Sequence, residues 1–369
     1  MLGLFATLGI FVMISAHSML SLYLGLELMS LSLYAMVAFD RDSPMAAEAA
    51  MKYFVLGAIA TGCFLYGTSI LYGVTGTFDL GELARRAMDI DALDLHVLVA
   101  LSFILVGVAF KFGAVPFHMW LPDVYQGAPG AVTLLIASLP KLGYLALAIR
   151  LLVDGMSGLH EDWQDMLVVL AALSMVLGNV VAISQSNIKR MLAYSTISHV
   201  GFVLLGLLAA SPAGYAAAMF YTIVYALMSA GAFAVMLLLS GSGVEAENLD
   251  DFKGLAKRSP WYALMMLMIL FSLAGIPVFV GFFAKWQVIA AAIDAGFVWL
   301  ALLAVVTAVI GAFYYLRVVK LMYFDEPEVT TPIEAPVDFR AVLSINGLAM
   351  LGLGVFSGGL IGVCVSAFS

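Results

Sequence analysis

Apolar segments long enough to cross a lipid bilayer follow one another along almost the whole chain. A spanning helix needs about 20 mostly apolar residues, and in lipid a helix satisfies all of its own backbone polar groups. By that criterion the sequence predicts about eleven spans. They cover residues 1–16, 19–39, 52–74, 95–122, 131–153, 164–184, 190–210, 215–240, 261–291, 296–322 and 342–366. We therefore expect an all-α polytopic membrane protein.

The composition excludes several other classes of protein. Of the 369 residues, 64% are hydrophobic and only 11% are charged, whereas soluble domains average about 45–50% apolar and about 25% charged residues. The formal net charge of −8 without a basic stripe excludes a nucleic-acid-binding protein. Nucleotide-binding, zinc-protease and cysteine-cluster motifs are missing from the sequence. We expect neither a cofactor site nor a small-molecule substrate pocket.

Basic residues are distributed unevenly over the connections between spans. Ten of the sixteen lie on one set of alternate connections: Arg41, Lys52, Lys189, Arg190, Lys253, Lys257, Arg258, Arg317, Lys320 and Arg340. Only Arg85, Arg86 and Arg150 lie on the other set, and the remaining three are within spans. Because the positively charged connections face the cytoplasm, we expect a cytoplasmic N-terminus and, with an odd number of spans, a periplasmic C-terminus.

Two spans carry the same kind of interruption. Residues 112–117 read Phe-Gly-Ala-Val-Pro-Phe in the fourth span, and residues 274–279 read Ala-Gly-Ile-Pro-Val-Phe in the ninth. These are the fourth members of consecutive five-span sets, and since five is odd the second set crosses the membrane in the opposite sense. Inverted repeats with broken helices are typical of an ion pathway near the bilayer midplane.

The repeat also predicts how the chain is divided. The first five-helix repeat covers residues 1–153 and the second, inverted repeat covers residues 164–322. Residues 323–369 form a surface connection and a C-terminal transmembrane helix. The part of the connection at 325–340, rich in proline and acidic residues, could carry a short interfacial helix.

Three lysines lie within spans. Lys111 precedes the first interruption, Lys141 lies about halfway along the fifth span, and Lys285 follows the second interruption. An ionised lysine at a helix centre costs about 2.5–3.5 kcal/mol on insertion scales, so their positions indicate an ion pathway. The alternative for each is a lysine whose ammonium group extends to the membrane surface. The first interruption, at Gly113–Pro116, frees backbone carbonyls that water or a lysine can satisfy.

Three further titratable residues are candidates for the same pathway. Glu27 is the only carboxylate in the middle of a span, and beside a lysine it could form a proton switch or a structural ion pair. His199 is mid-span with hydroxyl residues around it, and either relays protons or is a hydrogen-bonded packing residue. Lys52 starts the third span near the cytoplasmic edge, as a proton-uptake group or a plain flanking charge.

Three stretches resemble a known family. Residues 22–30, 112–125 and 187–195 are similar to the antiporter-like membrane subunits of respiratory complex I. The resemblance covers essentially the whole chain and implies two inverted five-helix bundles joined by a line of buried charged residues and water. Bacterial members of the family have three further spans before the first bundle, and Met1 falls where the fourth span would begin.

The resemblance also implies roles for four residues. Glu27 corresponds to the glutamate of the second helix in the first bundle, Lys111 to the lysine of the first broken helix, Lys141 to the central lysine and Lys285 to the lysine of the second broken helix. A member of this family translocates protons in the bacterial cytoplasmic membrane, beside the other membrane and peripheral subunits of a NADH:quinone oxidoreductase. NADH, FMN, iron–sulfur clusters and quinone are then expected in partner chains.

Two alternative functions stay open at this stage. The same buried charges would serve a subunit of a multisubunit Na⁺/H⁺ antiporter that works without redox input. A weaker alternative is a membrane-bound hydrogenase relative of the same superfamily. The spacing of the charged residues does not distinguish among these functions.

Overall fold

A computed structural model describes residues 1–88, 94–240, 246–327, 333 and 335–369. We number its α-helices in chain order. They are α1 (Leu2–Ile14), α2 (Met19–Val37), α3 (Pro44–Thr75), α4 (Leu80–Ala87), α5 (Leu95–Phe112), α6 (Trp120–Gly127), α7 (Gly130–Ala148), α8 (His160–Ile183), α9 (Ile188–Leu208), α10 (Pro212–Leu239), α11 (Leu255–Arg258), α12 (Pro260–Ala274), α13 (Val280–Asp294), α14 (Val298–Phe324), α15 (Val337–Val355) and α16 (Ser357–Ser366).

Polar residues between the apolar segments set where helices begin. The Ser43 hydroxyl accepts a hydrogen bond from the Ala46 N–H at the start of α3, and Pro44 occupies the first turn. Ser211 and Pro212 begin α10 in the same way. A serine cap followed by proline suits this position, because the first turn of a helix has unsatisfied N–H groups and proline lacks one.

The predicted set of spans is confirmed. In the described part of the chain, nine helical segments are long and apolar enough to cross a membrane. The other two crossings are the shorter α1 and the interrupted pair formed by α12 and α13. An all-α membrane bundle of about eleven spans is therefore the observed architecture.

Several predicted boundaries were wrong. The third span begins at Pro44 rather than at residue 52. The last span is two helices, because α15 ends before Phe356, in a glycine-rich stretch with low helix propensity. Helix α4 was not predicted, since its eight residues are short and amphipathic, with Leu80 and Leu83 buried. The interfacial helix expected at 325–340 falls in part on residues outside the described ranges.

The two interruptions have the same backbone geometry. Gly113 ends α5 with φ of 80°, and Gly275 ends α12 with φ of 82°. At each glycine the N–H reaches the carbonyl groups three and four residues earlier. A positive φ is readily adopted only by glycine, which explains the residue type at both helix ends.

A second feature is repeated at opposite ends of the bundle. Ser18, which caps α2, forms an isolated antiparallel bridge with Asp79, which caps α4. Asn187, which caps α9, forms the same kind of bridge with Asn248. In each five-span unit, the bridge joins the residue just before the second span to a residue that follows the third span. This repetition agrees with the predicted inverted repeat.

Arginines of the two units also occupy equivalent places. Arg150 follows α7 and donates two hydrogen bonds to the carbonyl oxygen of Ile14, the last residue of α1. Arg317 of α14 donates to the carbonyl oxygens of Ile183 and Gln185 at the end of α8. In each unit, an arginine from the fifth span therefore satisfies the unpaired carbonyls at the end of the first span.

Candidate functional site

The membrane interior holds an acidic and a basic side chain close together. The Lys111 ammonium donates to the Ser30 hydroxyl at 2.8 Å and to the Tyr34 hydroxyl at 3.3 Å, and lies 3.8 Å from the Glu27 carboxylate. Thr61 donates to the same Glu27 oxygen at 2.8 Å. Lys111 is 1% exposed, so its charge is compensated within the protein and does not extend to the membrane surface.

Lys141 fills a different role in the same unit. Its ammonium donates to the main-chain oxygen of Phe112 at 3.1 Å, at the point where α5 ends inside the bundle. It is 3% exposed and lies 5.7 Å from the centre of the Tyr144 ring. A helix end leaves carbonyl groups without intrahelical partners, and in lipid such groups must be satisfied within the protein. Lys141 satisfies one of them.

Lys285 acts in the same way in the second unit. Its ammonium donates to the main-chain oxygens of Leu273 at 3.0 Å and Ala274 at 2.9 Å, in the last turn of α12. It is also buried and lies 5.4 Å from the centre of the Phe202 ring. Each interruption is therefore paired with a lysine from another helix. At the first interruption the carbonyl is satisfied by Lys141, not by Lys111, the residue beside the interruption in the sequence.

His199 lies in α9, the helix at the centre of the bundle, and is hydrogen-bonded at both ring nitrogens. Its Nδ1 is 2.7 Å from the Tyr221 hydroxyl and its Nε2 is 3.1 Å from the Tyr315 hydroxyl. The Tyr315 hydroxyl is also hydrogen-bonded to Ser195. A neutral imidazole donates from one nitrogen and accepts at the other, so the two tyrosines must play opposite roles.

The structure does not place Lys52 with the other candidates. Its ammonium pairs with Glu48 at 2.8 Å and with Asp123 at 2.7 Å, and its side chain is 42% exposed. Asp123 also accepts a hydrogen bond from Arg190 at 2.8 Å. This charged cluster lies at the end of the bundle where α3 and α9 begin, which we call the inner end. Glu27 and Lys111 are paired in the interior and share no hydrogen bond or ion pair with Lys52 among the described residues.

Comparisons with known proteins show which family the chain belongs to. The family described as NADH:quinone oxidoreductase/Mrp antiporter, TM, matches residues 16–311. The NADH-quinone oxidoreductase subunit N of Thioalkalivibrio sulfidiphilus is 60% identical over 369 residues, which are 100% of this chain and 77% of that protein. The chain belongs to this family. The resemblance inferred from the sequence motifs is thereby confirmed.

Solved structures of other antiporter-family members share the fold. A chain of respiratory complex I from Thermus thermophilus with bound aureothin is 34% identical, with a TM-score of 0.85 over 97% of this chain and 78% of its own length. A chain of the Mrp complex from Dietzia is 24% identical, with a TM-score of 0.88, covering 99% of this chain and 77% of that one. At that identity, the second likeness concerns the fold alone.

The candidate site consists of single titratable side chains and their hydrogen-bond partners. Among the residues that the structure describes, no group of three or more His, Cys, Asp or Glu side chains could hold a metal ion. Carboxylate, amine and imidazole groups of this kind can bind protons and transfer them along hydrogen bonds.

Sequence reasoning missed the partners of the charged groups. Ser30 and Tyr34 follow Glu27 by three and seven residues in α2, a spacing that places all three on one helix face. That periodicity was a usable signal. Thr61 and Tyr315 lie on other helices, and isolated hydroxyl residues in apolar segments carry no sequence signal for their partner.

Proposed function

We propose that this chain is a proton-translocating membrane subunit of a NADH:quinone oxidoreductase, driven by quinone reduction in partner subunits. The observation that carries the proposal is a set of ionisable groups inside the bundle: Lys111, Lys141 and Lys285, which are buried, and Glu27, which is half-buried. Each has a specific polar partner within the membrane interior. Ionisable residues in spans are costly and mark proton relays and ion pathways.

The pair of Glu27 and Lys111 gives the proposal a physical mechanism. Two unit charges 4 Å apart interact by about 4 kcal/mol at an effective dielectric constant of 20, and these two groups are 3.8 Å apart. A change of charge at Glu27 therefore changes the electrostatic field at the Lys111 ammonium. Glu27, on a partly exposed face of α2, would receive the coupling signal from a neighbouring subunit.

The remaining lysines would carry the proton onward. In this scheme Lys111 and Lys141 are loaded from the cytoplasmic side, and Lys285 passes protons outward. His199, bound by two tyrosine hydroxyls, belongs to the same relay in the second unit. Lys52 would serve proton uptake at the inner end. No redox step takes place on these residues, and NADH, FMN, iron–sulfur clusters and quinone would bind partner chains.

We further propose an orientation and a division of the chain. The connections rich in Lys and Arg, including that of Arg190, would face the cytoplasm, which places the N-terminus inside and the C-terminus on the periplasmic side. The proton-translocating repeats would be residues 1–153 and 164–322, and residues 323–369 would add the connection and the last span. The other membrane and peripheral subunits and the lipid bilayer would be the partners.

A Na⁺/H⁺ antiporter subunit is the alternative function. The shared fold with the Mrp chain supports it, but the likeness to subunit N is far higher in sequence. Gentle solubilisation of membranes, a native gel stained for NADH oxidation and mass spectrometry of the active band separate the two. We expect this chain in a large NADH-oxidising assembly; its presence only among membrane proteins without a dehydrogenase would favour the antiporter.

The proposed mechanism is tested by replacing Lys111 with Met in the chromosomal gene. In vesicles from that strain, we expect NADH oxidation to persist and NADH-driven proton uptake to be lost. Lys320→Met is the control, because Lys320 is 66% exposed and pairs with Asp325 at the surface. An assembled Lys111→Met complex that pumps with the wild-type ratio of protons to NADH would rule out the assignment.

A further inference from the structure

Asp123 is bound by two cations from different five-span units. One carboxylate oxygen accepts from Lys52 of α3 at 2.7 Å, and the other accepts from Arg190 of α9 at 2.8 Å. The same Arg190 nitrogen also donates to the Gln126 side chain, one turn further along α6, at 3.0 Å. Helix α6 is therefore tied to both units by its own polar side chains. Sequence reasoning did not assign Asp123 a role.

The position of α6 depends on such side-chain contacts. It is the second half of the interrupted fourth span, and the non-helical stretch after Gly113 separates it from α5. Helical continuity therefore does not fix α6 relative to α5. The Trp120 ring stacks on the Tyr53 ring of α3 with centres 4.5 Å apart. This contact, the two ion pairs of Asp123 and the burial of most α6 residues together set the position of α6.

A movement of α6 would be transmitted to the buried lysines. The Trp120 indole N–H donates to the carbonyl oxygen of Phe110 at 2.9 Å. Lys141 binds the carbonyl oxygen of Phe112, and Lys111 lies between these two residues in the chain. The last turn of α5 therefore contains Lys111, accepts a hydrogen bond from Trp120 of α6 and accepts another from Lys141.

We infer that Asp123 is a positioning residue of the proton pathway, which holds α6 so that the inner end of the second unit controls the last turn of α5. The inference rests on the proposed function, because it concerns the lysines assigned there. The contrasting interpretation is a partly exposed ion pair of the kind that contributes little. It predicts no effect on the pumping ratio of the assembled complex.

The test replaces Asp123 with Asn, which keeps the shape of the side chain and removes its charge. In vesicles containing the whole complex, we expect the ratio of protons pumped to NADH oxidised to fall about twofold or more, and Asp123→Glu to restore most of it. An Asp123→Asn complex with the wild-type ratio overturns the inference.

Glu82→Gln is a matched control. Glu82 is also about 30% exposed and is paired with two arginines, Arg85 and Arg86, but all three belong to α4. Removing this carboxylate changes a surface ion-pair cluster without separating any helix from another. We expect it to leave the pumping ratio unchanged, and a fall equal to that of Asp123→Asn would overturn the inference by showing a general charge effect.

One further variant covers the case in which Asp123→Asn fails to assemble. Arg190→Met removes the ion pair that joins Asp123 to the second unit and leaves Lys52, the proposed uptake group, in place. We expect it to lower the ratio, and an unchanged ratio overturns the inference. Lys111→Met, measured in parallel, distinguishes failure of the proposed proton-translocating function from failure of the positioning role of Asp123. If that variant pumps normally, the proposed function has failed, whereas normal pumping in the Asp123 variant alone refutes only its positioning role.

Discussion

The ammonium nitrogen of Lys141 lies 3.1 Å from the main-chain oxygen of Phe112, at the point where α5 ends inside the bundle. The lysine is thus both a titratable group and the partner of a carbonyl that lipid could not satisfy. A neutral amine keeps N–H groups that can donate, so proton release weakens this contact without abolishing it, since charge-assisted hydrogen bonds are about twice as strong as neutral ones. Lys285 stands in the same relation to α12.

Removing either lysine should therefore cost stability as well as pumping. Lys141→Met leaves one carbonyl without its partner and Lys285→Met leaves two, at about 1–3 kcal/mol for each buried group. We expect Lys285→Met to lower the thermal unfolding midpoint of the purified complex more than Lys141→Met does. Equal midpoints would show that the carbonyl contacts contribute little. NADH-driven proton uptake, measured in sealed vesicles from the same strains, should be lost in both.

The Glu27 and Lys111 side chains should be energetically coupled. Lys111→Met leaves Glu27 with Thr61 as its hydrogen-bond donor, and Glu27→Gln leaves the Lys111 charge without its counter-ion. Groups in direct contact show interaction energies of about 0.5–3 kcal/mol. A double-mutant cycle on thermal stability should therefore give a double variant that is less destabilised than the two single effects added together. Simple additivity would mean that the pair does not interact.

Gly113 should not tolerate a side chain. Its φ of 80° is unfavourable for alanine, and an added Cβ would clash with a methyl carbon of Leu121. Backbone strain of this kind costs about 1–3 kcal/mol. We expect Gly113→Ala to reduce assembly or thermal stability, whereas Gly62→Ala in α3 meets no atom within 4 Å and should be tolerated. Similar unfolding midpoints for the two variants would contradict this account of the interruption.

Arg150 should contribute to stability chiefly through the end of α1. Arg150→Met removes two hydrogen bonds to the Ile14 carbonyl and the ion pair with Asp154. Asp154→Asn removes only the charge of the acidic partner. Because hydrogen bonds from charged groups contribute about 1.5–3 kcal/mol and exposed ion pairs about 0–1 kcal/mol, the arginine variant should unfold at the lower temperature. The reverse order would assign the stabilisation to the ion pair.

The main features of the fold were readable from the sequence because they depend on local composition. Bilayer thickness fixes the length of a span, so the eleven segments could be counted from apolar runs. Gly113 and Gly275 marked the interruptions, since few other residues adopt their backbone conformation. The missed helix α4 and the break at Phe356 show the limit of this reasoning: the first is too short and polar for a span criterion, and the second lies within a continuous apolar run.

By itself, the sequence determined which ionisable residues lie in spans at a cost in free energy: Glu27, Lys111, Lys141 and Lys285 all fall within segments that have to be apolar to cross the membrane. Only the tertiary structure decided what compensates each of them. Lys111 joins a carboxylate 84 positions away in the chain, and Lys141 and Lys285 join main-chain oxygens of other helices. Every main-chain carbonyl has the same chemistry, so the choice of partner follows from how the helices pack.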